Sequence, residues 1–144
     1  MTSADLRAVA VVERQTYKYP WSEGIFRDCL LASYQSIVID VDGVLSCYGV
    51  MSIAAAEAHI LNLCVHPRAQ RRGYGRWLLH SLLQTARERQ VEKVFLEVRP
   101  SNHPALMLYA AEGFQQIGIR PGYYQAEHGR EDAVILATSL HSAN

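Results

Sequence analysis

The chain has 144 residues, 49% of them hydrophobic and 19% charged, which is the composition of one folded domain and not of a disordered or fibrous segment. Lys and Arg together number 14, as do Asp and Glu, so net charge points neither to nucleic acid nor to an anionic membrane; no apolar run nears the ~20 residues of a membrane span. Cys29, Cys47 and Cys64 form no CxxC pair and the six histidines show no ligand spacing, so neither a disulfide framework nor a metal site is expected, and the reduced cytoplasm is the expected location.

Leu6, Val9, Ala10 and Glu13 recur at helical spacing, with Ser3 as the expected N-cap of a first helix over about 4–17. Tyr19-Pro20 breaks the chain, and Ser22 restarts it as the N-cap of a short helix to about Ala32. Trp21 and Phe26 bracket that cap as a hydrophobic staple. Residues 36–41 are β-branched and apolar, Asp42-Gly43 signals a tight hairpin, and Val44 to about Ala55 forms the partner strand, with a bulge expected at Gly49. A third strand runs from Ala58 to Val65. From Gly73 to about Gln90, Leu79, Leu82, Leu83 and Ala86 trace one apolar helical face.

Lys93 to Arg99 is apolar on both faces, as a central strand should be, and Pro100-Ser101-Asn102 ends it. Asn102 can cap a helix that tolerates Pro104 in its first turn and stops at Gly113. Two last strands, about 114–120 and 132–138, are expected to flank a loop at Pro121-Gly122-Tyr123-Tyr124. The strand–helix–strand of residues 58–99 has the length of a right-handed parallel crossover, whereas the Asp42-Gly43 hairpin makes the front of the sheet antiparallel. The order predicts a single α/β domain over 1–144, a mixed sheet with helices on both faces.

The stretch from Val65 to Arg76 joins a strand to a helix and carries Gly73, Gly75 and four arginines, Arg68, Arg71, Arg72 and Arg76. Glycine lets backbone amides approach a ligand, and amides at a helix N-terminus attract anions, so this loop is expected to hold phosphate groups. The P-loop pattern GxxxxGK[ST] is absent, and Gly73-Tyr74-Gly75-Arg76-Trp77-Leu78 lacks the third glycine of a dinucleotide fingerprint. Gln70-Arg71-Arg72-Gly73-Tyr74-Gly75 matches in full the Gln/Arg-x-x-Gly-x-Gly/Ala loop of the GNAT (Gcn5-related) N-acetyltransferases, which the chain resembles. Asn62 to Pro67, Leu96 to Asn102, Ala105 to Tyr109 and Glu112-Gly113-Phe114 extend the likeness. Pro20 to Glu23, Glu97 to Asn102, Tyr123-Tyr124 and Gly129 to Ala133 resemble the RimI type, the ribosomal-protein alanine N-acetyltransferases. The opening edge strand usual in that family has only Met1 to Ser3 to occupy here, so it is expected to be missing or very short.

The resemblance implies a mostly antiparallel mixed sheet whose one parallel pair splays apart, acetyl-CoA as co-substrate and no metal. Arg71, Arg72, Gly73, Tyr74, Gly75 and Arg76 would meet the pyrophosphate, the backbone of Leu63, Cys64 and Val65 the pantetheine, and the Asn102 side chain the cofactor. Cys64 reads equally as buried packing, and Asn102 as a helix cap alone. Glu97, a carboxylate between Leu96 and Val98, is costly in a strand unless paired or set at a cleft; it is the candidate base, the alternative being an ion pair with an arginine. Tyr109 is the candidate acid for the departing thiolate, or else an aromatic packed on the sheet. Trp21, Tyr123, Tyr124 and Arg130 are candidates for the acceptor groove. The acceptor implied is the N-terminal amine of a ribosomal protein, with a small-molecule amine, a lysine or a non-catalytic CoA sensor as alternatives. No nucleic-acid or membrane partner is implied, and the chain is expected to be a monomer or weak dimer.

Overall fold

The computed structural model describes residues 1–140, in which six strands form one sheet in the order β1-β2-β3-β4-β6-β5. The strands are β1 (Gln35–Val41), β2 (Val44–Ala54), β3 (Glu57–Val65), β4 (Lys93–Val98), β5 (Gln115–Ala126) and β6 (Gly129–Ser139). The helices are α1 (Leu6–Thr16), α2 (Glu23–Leu31), α3 (Tyr74–Glu88) and α4 (His103–Ala111). None of them is long and apolar enough to cross a membrane. Every strand pair is antiparallel except β3–β4, the crossover predicted from chain order.

Local chemistry explains most element boundaries. The α2 start is as predicted: Ser22 Oγ accepts the Ile25 N–H at 3.3 Å, and the Trp21 and Phe26 rings lie 5.2 Å apart. The α1 start differs, because a short 3-10 turn over Ser3–Asp5 precedes it and Thr2, not Ser3, is the cap, its N–H donating to Asp5 Oδ2 at 2.7 Å. Asp42 and Gly43 both have positive φ, +53° and +80°, the geometry that joins β1 to β2 tightly. Gly49 is not a bulge: it pairs regularly with Ile37 and Leu63, and its missing Cβ admits Leu82, whose Cδ1 would lie 3.1 Å from one. The β2 bulge falls at Ser46, which Ile39–Cys47 and Asp40–Leu45 pairing leaves unpaired, and a second bulge falls on β3, where Val50 pairs with Asn62 and Met51 with Ile60, leaving Leu61 unpaired.

That bulge reverses which face the following residues use. Before it, Ile60 packs on the α3 side with Met51, Leu79, Leu82, Val94 and Leu96; after it, Cys64 packs on the α1/α2 side with Val9, Phe26, Tyr48 and Val50. The parallel pairing of β3 with β4 stops there too, running only from Glu57–Lys93 to Ile60–Leu96. Beyond it the two strands diverge. The splay is the feature that positions the site.

The expected loop at Pro121–Tyr124 lies within β5 as a bulge, in which Gly122 takes a positive φ of +59°. Register with β6 slips between Arg120 and Tyr124, and side chains of β6 satisfy the freed backbone: Arg130 donates to the Gly122 and Tyr123 carbonyls, and Asp132 accepts the Gly122 N–H at 2.8 Å. The segment reads as a loop in the sequence because those partners are remote along the chain.

A buried carboxylate locks α1 to the sheet. Glu13 is 2% exposed and accepts from the Tyr48 hydroxyl at 2.5 Å, Asn62 Nδ2 at 3.2 Å and the Trp21 N–H at 3.0 Å. Glu13→Ala leaves three donors unpaired and is expected to cost about 3 kcal/mol or more, lowering the melting temperature by roughly 10 °C in a thermal scan. A change under about 2 °C would show the network to be dispensable.

Candidate active site

The loop after β3 is built to leave amides free. Gln70 Nε2 donates to the Val65 carbonyl at 2.9 Å, pinning the loop to the strand it leaves. Arg71 and Gly73 both adopt positive φ, +66° and +83°. Gly73 is required by that φ, since an added Cβ would meet nothing; at Gly75 a Cβ would find ordinary contact with Leu108, 3.5 Å away. Trp77 is the first residue of the turn whose N–H finds a carbonyl, that of Gly73 at 3.1 Å. The N–H groups of residues 71–76 have no hydrogen-bond partner among the described residues. Six consecutive free amides at the start of a 15-residue helix make an anion cradle. Arg71 and Arg72 stand exposed beside it, whereas Arg76 also meets Glu112, Nε to Oε1 3.3 Å.

From that cradle the splay runs inward between β3 and β4. In it the Leu63 carbonyl is met by the Tyr17 hydroxyl at 3.2 Å and the Val65 carbonyl by Gln70, both side chains standing where a neighbouring strand would be. The Cys64 thiol is fully buried, and burial pushes it above its ordinary range. Burial, with Cys64 next, does the same to Tyr17. A neutral, enclosed thiol is packing, not a nucleophile.

At the inner end of the splay, on the α1/α2 side, lies a cavity of about 350 Å³ lined by Trp21, His59, Ile60, Leu61, Glu97, Tyr123 and Tyr124. Glu97 has only 10% of its side chain exposed; Oε2 meets His59 Nε2, and Oε1 lies 3.3 Å from Arg120 Nε. The arginine partner and the cleft, alternatives at the level of sequence, coexist. The groove wall is aromatic: the Tyr123 and Tyr124 rings meet edge to face at 4.9 Å, and the Arg99 guanidinium lies 4.4 Å from the Tyr124 ring centroid. The Tyr124 phenol is pushed up to about 12, by burial first and Tyr123 next. Arg99 also donates to the Gln125 carbonyl at 2.7 Å and to Glu131 at 3.2 Å. Glu131 is held below the usual carboxylate range mainly by the Ser101 hydroxyl. Arg130 spends its guanidinium on the β5 backbone, so it shapes the groove and does not line the cavity.

Tyr109 comes from α4, 6% exposed, its ring edge to face with Phe114 at 5.5 Å. Burial, then Tyr124, pushes its phenol well above the ordinary value, so it keeps its proton at neutral pH. Its hydroxyl bonds to no described residue, yet no buried side-chain polar atom among the described residues lacks a partner, so the hydroxyl is not fully enclosed; Tyr109 is not among the residues lining the 350 Å³ cavity. Asn102 Oδ1 caps α4 through the Ala105 N–H at 3.3 Å, leaving its amide nitrogen free to turn outward. Among the described residues no cluster of His, Cys, Asp or Glu could hold a metal ion. A larger, more open concavity of about 730 Å³ lies over the outer side of α3, by Trp77, His80 and Glu112, and contains none of the candidate catalytic groups.

Trp21, Glu97, Tyr123 and Tyr124 are thus brought together in one cavity. Sequence reading passed over His59, Tyr17, Arg99 and Arg120. For His59 a signal existed, since it and Glu97 are the polar interruptions of two apolar strands, but only register makes them neighbours.

Residues 6–114 match the model of the acetyltransferase (GNAT) family. The [ribosomal protein bS18]-alanine N-acetyltransferase of Escherichia coli strain K12 is 35% identical over 140 residues, which cover 97% of this chain and 95% of that protein. The crystal structure of the ribosomal-protein-S18-alanine N-acetyltransferase from Escherichia coli superposes with a TM-score of 0.93 at 34% identity, over 100% of this chain and 93% of that one. The PaiA N-acetyltransferase from Thermoplasma acidophilum, in complex with coenzyme A, shares the fold with a TM-score of 0.80 at 16% identity, over 97% of this chain and 96% of that one.

Proposed function

The chain belongs to the acetyltransferase (GNAT) family and is an N-acetyltransferase, and from that premise we propose that it transfers acetyl from acetyl-CoA to the N-terminal alanine amine of ribosomal protein bS18. The observation that carries the acceptor assignment is the near-complete overlap, in length and structure, with enzymes named for that reaction. A ribosomal acceptor would place the enzyme in the cytoplasm.

The free amides of residues 71–76, with Arg71 and Arg72 beside them, suit the pyrophosphate. With the Leu63 and Val65 carbonyls taken by Tyr17 and Gln70, the β3 edge would offer the pantetheine its N–H groups, and Asn102 its amide nitrogen. When bound, acetyl-CoA supplies the activated acetyl group; all else falls to the chain's own groups. A free α-amine has pKa of roughly 7.7–8.0, so a modest base suffices to neutralise it, whereas a lysine near 10.4 would demand much more. The Glu97 centre withdraws that proton, and the Tyr109 hydroxyl returns one to the departing sulfur. Burial raises the proton affinity of the phenol and would raise that of a thiolate expelled beside it, so it does not disqualify Tyr109 as donor.

Attack is direct, with no covalent enzyme intermediate. Cys64→Ala is therefore expected to keep turnover within about twofold of wild type in a steady-state assay, and a loss beyond about tenfold would restore Cys64 to the mechanism. The acceptor is tested with synthetic peptides. Acetylation of a free N-terminal alanine, with none on an N-terminally blocked, lysine-bearing version, is expected; labelling of the blocked peptide at lysine would overturn the assignment.

A further inference from the structure

We infer that His59 is a catalytic residue, the group that receives the acceptor's proton, with Glu97 as the residue that orients and charges it. This deepens the acetyl-transfer reading above and rests on it.

Both Glu97 oxygens are already engaged. One is paired with His59 Nε2 and the other with Arg120 Nε at 3.3 Å, and the side chain is 10% exposed. His59 is 35% exposed at its side chain and lines the cavity together with Trp21, Leu61, Tyr123 and Tyr124. Glu97 lines the same cavity, but the ring is the more exposed of the pair and the one with a nitrogen left unpaired. A carboxylate only accepts, so its contact with Nε2 sets a proton on that nitrogen, and in the neutral ring Nδ1 then carries the lone pair. Nδ1 has no partner among the described residues. A carboxylate that fixes one imidazole nitrogen so that the other works as base is the logic of an acid–histidine dyad. The other charged or titratable groups at the pair are Arg120, Tyr123 and Tyr124 of β5, while Glu57 and Lys93 face each other in register two residues back from His59.

The protons balance as follows. The ammonium gives one proton to Nδ1 and becomes a nucleophile, whose lone pair forms the C–N bond as the C–S bond breaks. The nitrogen's second proton leaves as the amide forms and replaces the one that Tyr109 delivers to sulfur. The imidazolium releases its proton to solvent, so each turnover liberates one.

Two measurements decide it. Ring ¹⁵N NMR of His59 in the full chain is expected to report the Nε2–H tautomer in wild type and its loss in Glu97→Gln. An Nδ1–H tautomer in wild type would overturn the dyad whatever the substrate is. In kinetics, His59→Ala is expected to lower kcat on the alanine peptide about a hundredfold with an unchanged KM for acetyl-CoA, and added imidazole to restore at least about tenfold of that loss. Wild-type kcat in His59→Ala, or an equal loss that imidazole does not relieve, would make His59 structural only. If wild type acetylates lysine instead of the N-terminus, the acceptor assignment falls while the NMR result still decides the dyad.

Discussion

Glu97→Gln is expected to lower kcat by about 10²–10⁴-fold while leaving the KM for acetyl-CoA nearly unchanged. The amide is nearly isosteric, so the strand should keep its register, and the anion cradle of residues 71–76 lies on another element. What changes is charge and polarity at the two contacts. A carboxylate accepts from both His59 and Arg120, whereas a carboxamide presents a donor to one of them and leaves Arg120 without its counter-charge. The pH dependence fixes the sign. Below the amine's own pKa of roughly 7.7–8.0 most acceptor is ammonium and needs a base, so the deficit should be greatest at low pH and shrink as pH rises. Full activity at pH 6–7 would remove Glu97 from the mechanism.

Tyr109→Phe carries the second large effect, a loss of about 10²-fold in kcat with little change in melting temperature. The ring stays packed on Phe114, and the hydroxyl removed bonds to no described residue, so no partner is orphaned. The defect should depend on the leaving group: an acetyl thioester of a more acidic thiol needs less protonation, and with it the variant should approach wild type. An equal loss with both donors would assign Tyr109 to packing. Because burial raises the Tyr109 phenol, its protonated, active form should persist past the ordinary phenol value, and no alkaline limb from Tyr109 is expected up to about pH 10.

Strands, helices and the crossover were legible because each is written locally. Leu79, Leu82, Leu83 and Ala86 name a helical face, Asp42-Gly43 a hairpin and Gln70 to Gly75 a loop, without reference to anything distant. The errors lie where the deciding partner is remote in sequence. The expected loop at Pro121–Tyr124 is a bulged part of β5 because Arg130 and Asp132 satisfy its backbone, and the bulge expected at Gly49 lies at Ser46, while Gly49 stays in register where Leu82 packs against it. The site divides the same way. Glu97 could be picked out as a carboxylate in an apolar strand, but its partners His59 and Arg120 come from two other strands and depend on register. Glu13 was read only as part of a helical face; its three donors, Trp21, Tyr48 and Asn62, converge from three places in the fold.

The central claim, N-terminal acetylation of bS18, is tested most directly by mass spectrometry of that protein's N-terminus in cells with and without this enzyme. Acetylated alanine in its presence and a free amine in its absence is the expected result. An N-terminus unchanged between the two would contradict it.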